Sequence, residues 1–290
     1  MRYGIYYAYW EKEWKGNFIP YIEKVKRLGF DILEVACGNF HLEDKAYFRS
    51  LRRVSEENEI VLTGGYGPRK EHNLATKDAK QLSDTFAFYA DVFSKMELAG
   101  IGCIGGALYS YWPVDFSRQI DKPGDFLRSV ENMQKLADMA MDYGITLNME
   151  SLNRFEGYLI NECEEAVRYV EAVNKPNVKV MLDTFHMNIE EDSLRDAIIL
   201  AGARLGHFHV GEANRKPPHR GGRMPWEEIG EALREIGYQG DVVMEPFVLM
   251  GGQVGKDISI WRDISHGASA DQLDQSAADS VAYLRSVFER

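Results

Sequence analysis

Arg2-Tyr3-Gly4-Ile5-Tyr6-Tyr7-Ala8-Tyr9-Trp10-Glu11 opens the chain with a short apolar run and then turns on aromatic residues. A doubly wound dinucleotide-binding sheet would place G-x-G-x-x-G at that turn, so that backbone could approach a pyrophosphate; nothing here allows it. Outward from this stretch, short apolar runs alternate with longer segments of helical periodicity, the pattern of βα units on a parallel sheet. Strands are expected at Arg2–Ala8, Ile32–Cys37, Ile60–Gly64, Gly102–Ala107, Thr146–Glu150, Val178–Asp183, Leu205–Val210 and Val242–Pro246. Helices are expected near Phe18–Leu28, Lys45–Asn58, Lys77–Ala99, Pro123–Tyr143, Glu162–Val173, Asp192–Ala201, Pro225–Ile236 and Ala270–Glu289. Several of these stop at glycine (Gly29, Gly100, Gly144, Gly237), the residue that most readily takes the left-handed conformation ending a helix. Eight units in 290 residues leave about 36 residues each, which predicts an α/β fold, a single (β/α)8 TIM barrel, as one domain over residues 1–290.

Composition narrows the function classes. Asp and Glu outnumber Lys and Arg by 45 to 34, a net charge of −11, so there is no basic footprint for nucleic acid or an anionic membrane surface. Cys37, Cys103 and Cys163 show neither metal-site spacing nor an even count, which argues for a reducing compartment. With no long apolar run and no signal-like start, a cytoplasmic protein is the expectation. Gly64-Gly65-Tyr66-Gly67 lacks the Lys-Ser/Thr of a phosphate loop and reads as a tight turn.

In a (β/α)8 barrel the chemistry gathers at the C-terminal ends of the strands. Four successive strands end in polar residues: Glu150 closes Thr146-Leu147-Asn148-Met149-Glu150, Asp183 closes Val180-Met181-Leu182-Asp183, His209 lies in Gly206-His207-Phe208-His209-Val210, and Glu245 lies in Val242-Val243-Met244-Glu245-Pro246. Each is about one βα unit from the next, so all four should share one height on the rim. Any one of them alone could be a helix cap. Together, three carboxylates and an imidazole call for a divalent cation, and oxygen-rich donors without thiolate suit manganese (Mn2+), with Co2+ or Mg2+ as alternatives. Glu156, His186 and Arg215 follow within a few residues and are expected to overhang the rim, where they could bind substrate hydroxyls. His207 is assigned to the opposite face of its strand from His209, as a structural histidine. Aromatic clusters, Tyr6, Tyr7, Tyr9, Trp10 and Trp14 after strand one and Tyr109, Tyr111 and Trp112 after strand four, are expected to wall a pocket suited to sugar C–H faces.

Four segments carry a family resemblance: Met149-Glu150-Ser151-Leu152-Asn153-Arg154-Phe155-Glu156, Leu182-Asp183-Thr184-Phe185-His186-Met187-Asn188, His207-Phe208-His209-Val210-Gly211-Glu212 with Asn214-Arg215, and Met244-Glu245-Pro246-Phe247. The chain resembles the D-psicose (allulose) 3-epimerase and D-tagatose 3-epimerase family, ketose 3-epimerases within the xylose-isomerase-like barrels, over essentially its whole length. The resemblance implies metal binding by Glu150, Asp183, His209 and Glu245, and sugar binding by Glu156, His186 and Arg215. It implies a pocket lined by Tyr6, Trp14, Gly65, Ala107 and Trp112, a small ketohexose substrate such as D-fructose or D-psicose, and a homodimer or homotetramer. The loop Lys216–Arg223 is slightly longer than the family form. Epimerisation at C3 needs acid/base groups on opposite faces of the carbon, and Glu150 and Glu245, on strands three positions apart, meet that demand. A metal-dependent aldose–ketose isomerase of xylose or hydroxypyruvate type is the alternative, since related barrels use nearly the same metal site.

Overall fold

The computed structural model describes residues 1–117 and 119–290. Eight parallel strands close on themselves in chain order: β1 (Arg2–Tyr6), β2 (Ile32–Ala36), β3 (Val61–Gly65), β4 (Cys103–Gly106), β5 (Thr146–Glu150), β6 (Val178–Asp183), β7 (Leu205–Val210) and β8 (Asp241–Met244). The β1–β8 pairing, Arg2 with Asp241 through Ile5 with Met244, shuts the barrel. The fold is thus the single (β/α)8 barrel that the unit count predicts.

Around it run α1 (Ile19–Arg27), α2 (Lys45–Glu57), α3 (Ala79–Ala99), α4 (Lys122–Asp142), α5 (Cys163–Val173), α6 (Thr184–Glu190), α7 (Leu194–Ala201), α8 (Trp226–Glu235), α9 (Gly252–Asp257) and α10 (Ala270–Phe288). Their starts follow side-chain chemistry: Asp44, Asp78, Asp121 and Ser193 each accept a first-turn backbone N–H, and Ser269 with Gln272 forms a reciprocal capping box on α10. The four glycines expected at helix stops all take positive φ, from 66° at Gly237 to 91° at Gly29. Strand-bound apolar residues pack outward against the helices, and Tyr89, Phe93, Phe208 and Trp226 are among the large side chains fully buried there.

The barrel's interior is less uniform. Branched apolar residues normally fill such a core, yet Glu34, Thr63, Asn148, Asp183, His207 and His209 are all buried. This polar layer lies beneath the C-terminal rim and positions the site. Tyr7, Tyr9, Tyr109 and Tyr111 are buried in the wall rather than turned to a pocket, and Tyr109 donates its hydroxyl to the Glu150 carbonyl at 2.7 Å. All three cysteines are free. Among the described residues, no helix is long and apolar enough to cross a membrane.

Candidate active site at the barrel rim

A cavity of about 570 Å³ opens at the C-terminal end of the barrel. Of the twelve residues assigned in the sequence to metal or sugar binding, eleven line it: Tyr6, Trp14, Gly65, Ala107, Trp112, Glu150, Glu156, His186, His209, Arg215 and Glu245. The twelfth, Asp183, is 1% exposed and lies just beneath its floor. Glu150, Asp183, His209 and Glu245 each turn one ligand-type atom into a cluster whose members lie within 4.8 Å of one another.

Strand geometry accounts for three of the four. Glu150 and Asp183 are the last residues of β5 and β6, and His209 is the penultimate residue of β7. β8 stops at Met244, so Glu245, expected inside the strand, lies one residue past its end, but its backbone N–H still donates to the Val210 carbonyl at 3.1 Å. Asp183 is both things a strand-end carboxylate can be. Its Oδ1 caps α6 by accepting the Phe185 N–H at 2.9 Å, while its Oδ2 faces the cluster.

Electrostatics make the cluster a candidate cation site. Burial, and then the neighbouring Glu245 carboxylate, push the Glu150 pKa well above its ordinary value. Arg215 relieves part of this repulsion: its Nη1 sits 2.9 Å from Glu245 Oε2 and 3.2 Å from Asp183 Oδ2. His209 provides the direct test of fit. Its Nε2 contacts Glu34 Oε1 at 2.6 Å, whereas its Nδ1 is buried without a hydrogen-bond partner, 3.6 Å from Glu245 Oε1. An orphaned imidazole nitrogen aimed at three carboxylates is a donor set for a divalent metal. Glu34, His207 and His209 also lie close together, but the 2.6 Å contact there is a hydrogen bond.

One sequence assignment needs correction. His207 does not face the helices: residues two apart in a strand share a face, so His207 points into the barrel like His209, its ring centroid 5.2 Å away. Arg215 lines the cavity with its charge buried rather than solvated. It is 4% exposed, its guanidinium lies 3.7 Å over the Phe185 ring, and its φ is +64°. That uncommon backbone is held by Arg215 N–H donating to Glu212 O and by Phe247 N–H donating to Arg215 O, both at 2.9 Å.

The remaining polar groups are tied together. His186 Nδ1 accepts from the Asn153 backbone N–H at 3.1 Å, so its proton is on Nε2, 3.8 Å from both Glu150 Oε1 and Asp183 Oδ2. Burial lowers the pKa of His186 below its ordinary value. Glu156 accepts from Asn153 Nδ2 at 3.0 Å and Trp112 Nε1 at 3.1 Å; against the cost of burial, His186 and Arg215 hold its carboxyl below the usual range. The sequence reading passed over Asn153, which orients both, and Glu34. It also passed over Glu212, whose buried carboxylate accepts from Trp226 Nε1 and Arg223 N–H, each at 2.9 Å, and so sets the path of the lengthened loop.

This closed (β/α)8 barrel belongs to the xylose isomerase-like TIM barrels, whose family model matches residues 22–275. D-psicose 3-epimerase of Agrobacterium fabrum is 52% identical over 287 residues, covering 99% of both chains. The crystal structure of D-psicose 3-epimerase with D-tagatose from Clostridium cellulolyticum H10 superimposes with a TM-score of 0.97 at 51% identity over 99% of each chain. A D-psicose 3-epimerase structure determined in the presence of D-fructose matches with the same TM-score and identity over 100% of both chains. The chain belongs to the D-psicose 3-epimerase and D-tagatose 3-epimerase family and is a carbohydrate epimerase acting on small ketoses.

Proposed function

We propose that this enzyme interconverts D-fructose and D-psicose by removing the C3 proton on one face and returning a proton on the other, with Glu150 and Glu245 as the two acid/bases. The observation that carries this reading is that two carboxylates from separate strands, β5 and the end of β8, border one cavity and approach one cation site. Glu150, Asp183, His209 and Glu245 would hold a divalent cation, Mn2+ in the first instance, which would polarise the C2 ketone and stabilise the charge developing on its oxygen. One carboxylate takes the C3 proton as the C–H electrons move into a C2–C3 double bond, giving a cis-enediolate. The opposite group, which starts as the carboxylic acid, then protonates C3 from the other side as the C2–C3 double-bond electrons return to C3 and the C2 ketone re-forms. His186 donates from Nε2, Arg215 presents its guanidinium, and Glu156 accepts, together fixing the C1–C3 end of the sugar. Tyr6, Trp14 and Trp112 give apolar walls, while Gly65 and Ala107 keep the wall shallow: a Cβ on Gly65 would come within 3.2 Å of the Tyr6 ring.

The relatives' substrates support a ketohexose, and the family resemblance implies a homodimer or homotetramer, which light scattering on the purified chain checks. Incubating the metal-loaded enzyme with D-fructose tests the reaction directly. D-psicose should accumulate to an equilibrium mixture; formation of an aldohexose instead would show aldose–ketose isomerisation and overturn the proposal.

A further inference from the structure

Glu34 is a carboxylate in the middle of an apolar strand, Ile32-Leu33-Glu34-Val35-Ala36, and is 1% exposed inside the barrel. A charge placed there is costly unless its oxygens are bonded. Both are. Oε1 contacts His209 Nε2 at 2.6 Å, and Oε2 accepts the Thr63 hydroxyl at 2.8 Å and lies 2.9 Å from His207 Nε2. Thr63 is the register partner of Glu34 on β3, so the barrel's own pairing fixes the carboxylate's orientation.

An ionised carboxylate only accepts, so the His209 nitrogen it touches must carry the proton. The other nitrogen, Nδ1, is buried without a partner and faces Glu245, so it is the one placed to ligate a cation. We propose that Glu34 is a positioning residue for the metal centre: it fixes the Nε2-protonated form of His209, presents Nδ1 to the cation, and makes the imidazole a stronger donor. This rests on the proposed metal-binding role of His209 and extends it to a residue that touches neither substrate nor metal. His207 and Thr63 hold Glu34 in turn, which gives the correctly oriented His207 its place.

The test titrates metal-depleted full-length chain with Mn2+ by calorimetry, comparing the parent with Glu34→Gln and Glu34→Ala, each checked for folding by circular dichroism. Glu34→Ala should weaken Mn2+ binding about 10–100-fold, and Glu34→Gln, which keeps an acceptor for Nε2–H, should recover part of the loss. At saturating Mn2+ the kcat of each variant should return towards the parent's. A purely structural role would lower thermal stability and leave Mn2+ affinity unchanged, so affinities within about twofold of the parent for both variants would overturn the inference. Should neither variant fold, anomalous scattering from Mn2+ in crystals of the parent decides: metal on His209 Nδ1 supports the inference, and metal on Nε2 ends it. If the parent takes up no Mn2+ at this cluster, the metal-site reading falls as well. Parent binding through Nδ1 with indifferent variants removes only the role of Glu34.

Discussion

Asp183 divides two duties between its oxygens, and this makes them separable. Asparagine is as good a helix cap as aspartate, so Asp183→Asn should keep the bond to Phe185 and hold metal-free stability within about 1 kcal/mol of the parent. It should nevertheless bind Mn2+ far more weakly; calorimetry beside thermal unfolding checks both halves, and an unchanged Mn2+ affinity would mean the carboxylate acts only as a cap. Removing either proton-transfer group should be severe. Glu150→Gln and Glu245→Gln are each expected to lower kcat about 10²–10⁴-fold, and near-parental turnover in either would refute the two-base scheme. His72 offers a pH prediction outside the metal cluster. Burial lowers its pKa from 6.5 to about 4, with its Nδ1 2.6 Å from the Tyr66 hydroxyl and its ring stacked on Phe88. The unfolded chain then binds a proton that the folded chain refuses, so His72's contribution to stability falls as pH drops from about 6.5 towards 4. An NMR titration of His72 with a midpoint near its ordinary value would contradict this. At this scale the sequence was informative where a polar residue ended an apolar strand, as at Glu150 and Asp183. Glu34 carried the same signal in the wrong place, a lone charge at a strand's centre, and only the fold shows that its neighbours across the barrel are histidines.

Elements were legible where periodicity was long. β5, β6 and β7 begin and end where their apolar runs do, whereas the expected first strand stops at Tyr6 because Tyr7–Tyr9 turn into a single 3₁₀ turn. Two short helices, α6 and α9, have seven and six residues, too few for a helical period to stand out, and α6 exists largely because Asp183 caps it. The loop after β7 is the other feature sequence could not give. Its course depends on Glu212 gathering N–H donors from Arg223 and Trp226, which lie far along the chain, and this clamp supports the turn that buries Arg215. Glu212→Ala leaves several buried donors unpaired and should destabilise the fold by roughly 3 kcal/mol, while lowering kcat/KM through a displaced Arg215. Urea unfolding and steady-state kinetics on the same variant check this; a stable variant with unchanged kcat/KM would show that the loop is held elsewhere.

The whole molecule was the most legible level, because eight repeats of one unit leave few alternatives once the phosphate-binding turns are absent. The acidic excess has a partial explanation at this level: Glu34, Glu150, Glu156, Asp183 and Glu245 are gathered in and above one end of the barrel. A barrel holding such a cluster should be stabilised by the cation it binds. Raising free Mn2+ to a hundredfold above Kd should add about 2.7 kcal/mol, seen as a rise in Tm that chelator reverses, and a Tm indifferent to metal would contradict the centre. The central claim concerns carbon three of a ketohexose, and isotope placement tests it most directly. Metal-loaded enzyme incubated with D-fructose in D2O should yield D-fructose and D-psicose deuterated at C3. Deuterium confined to C1 or C2 would contradict the account.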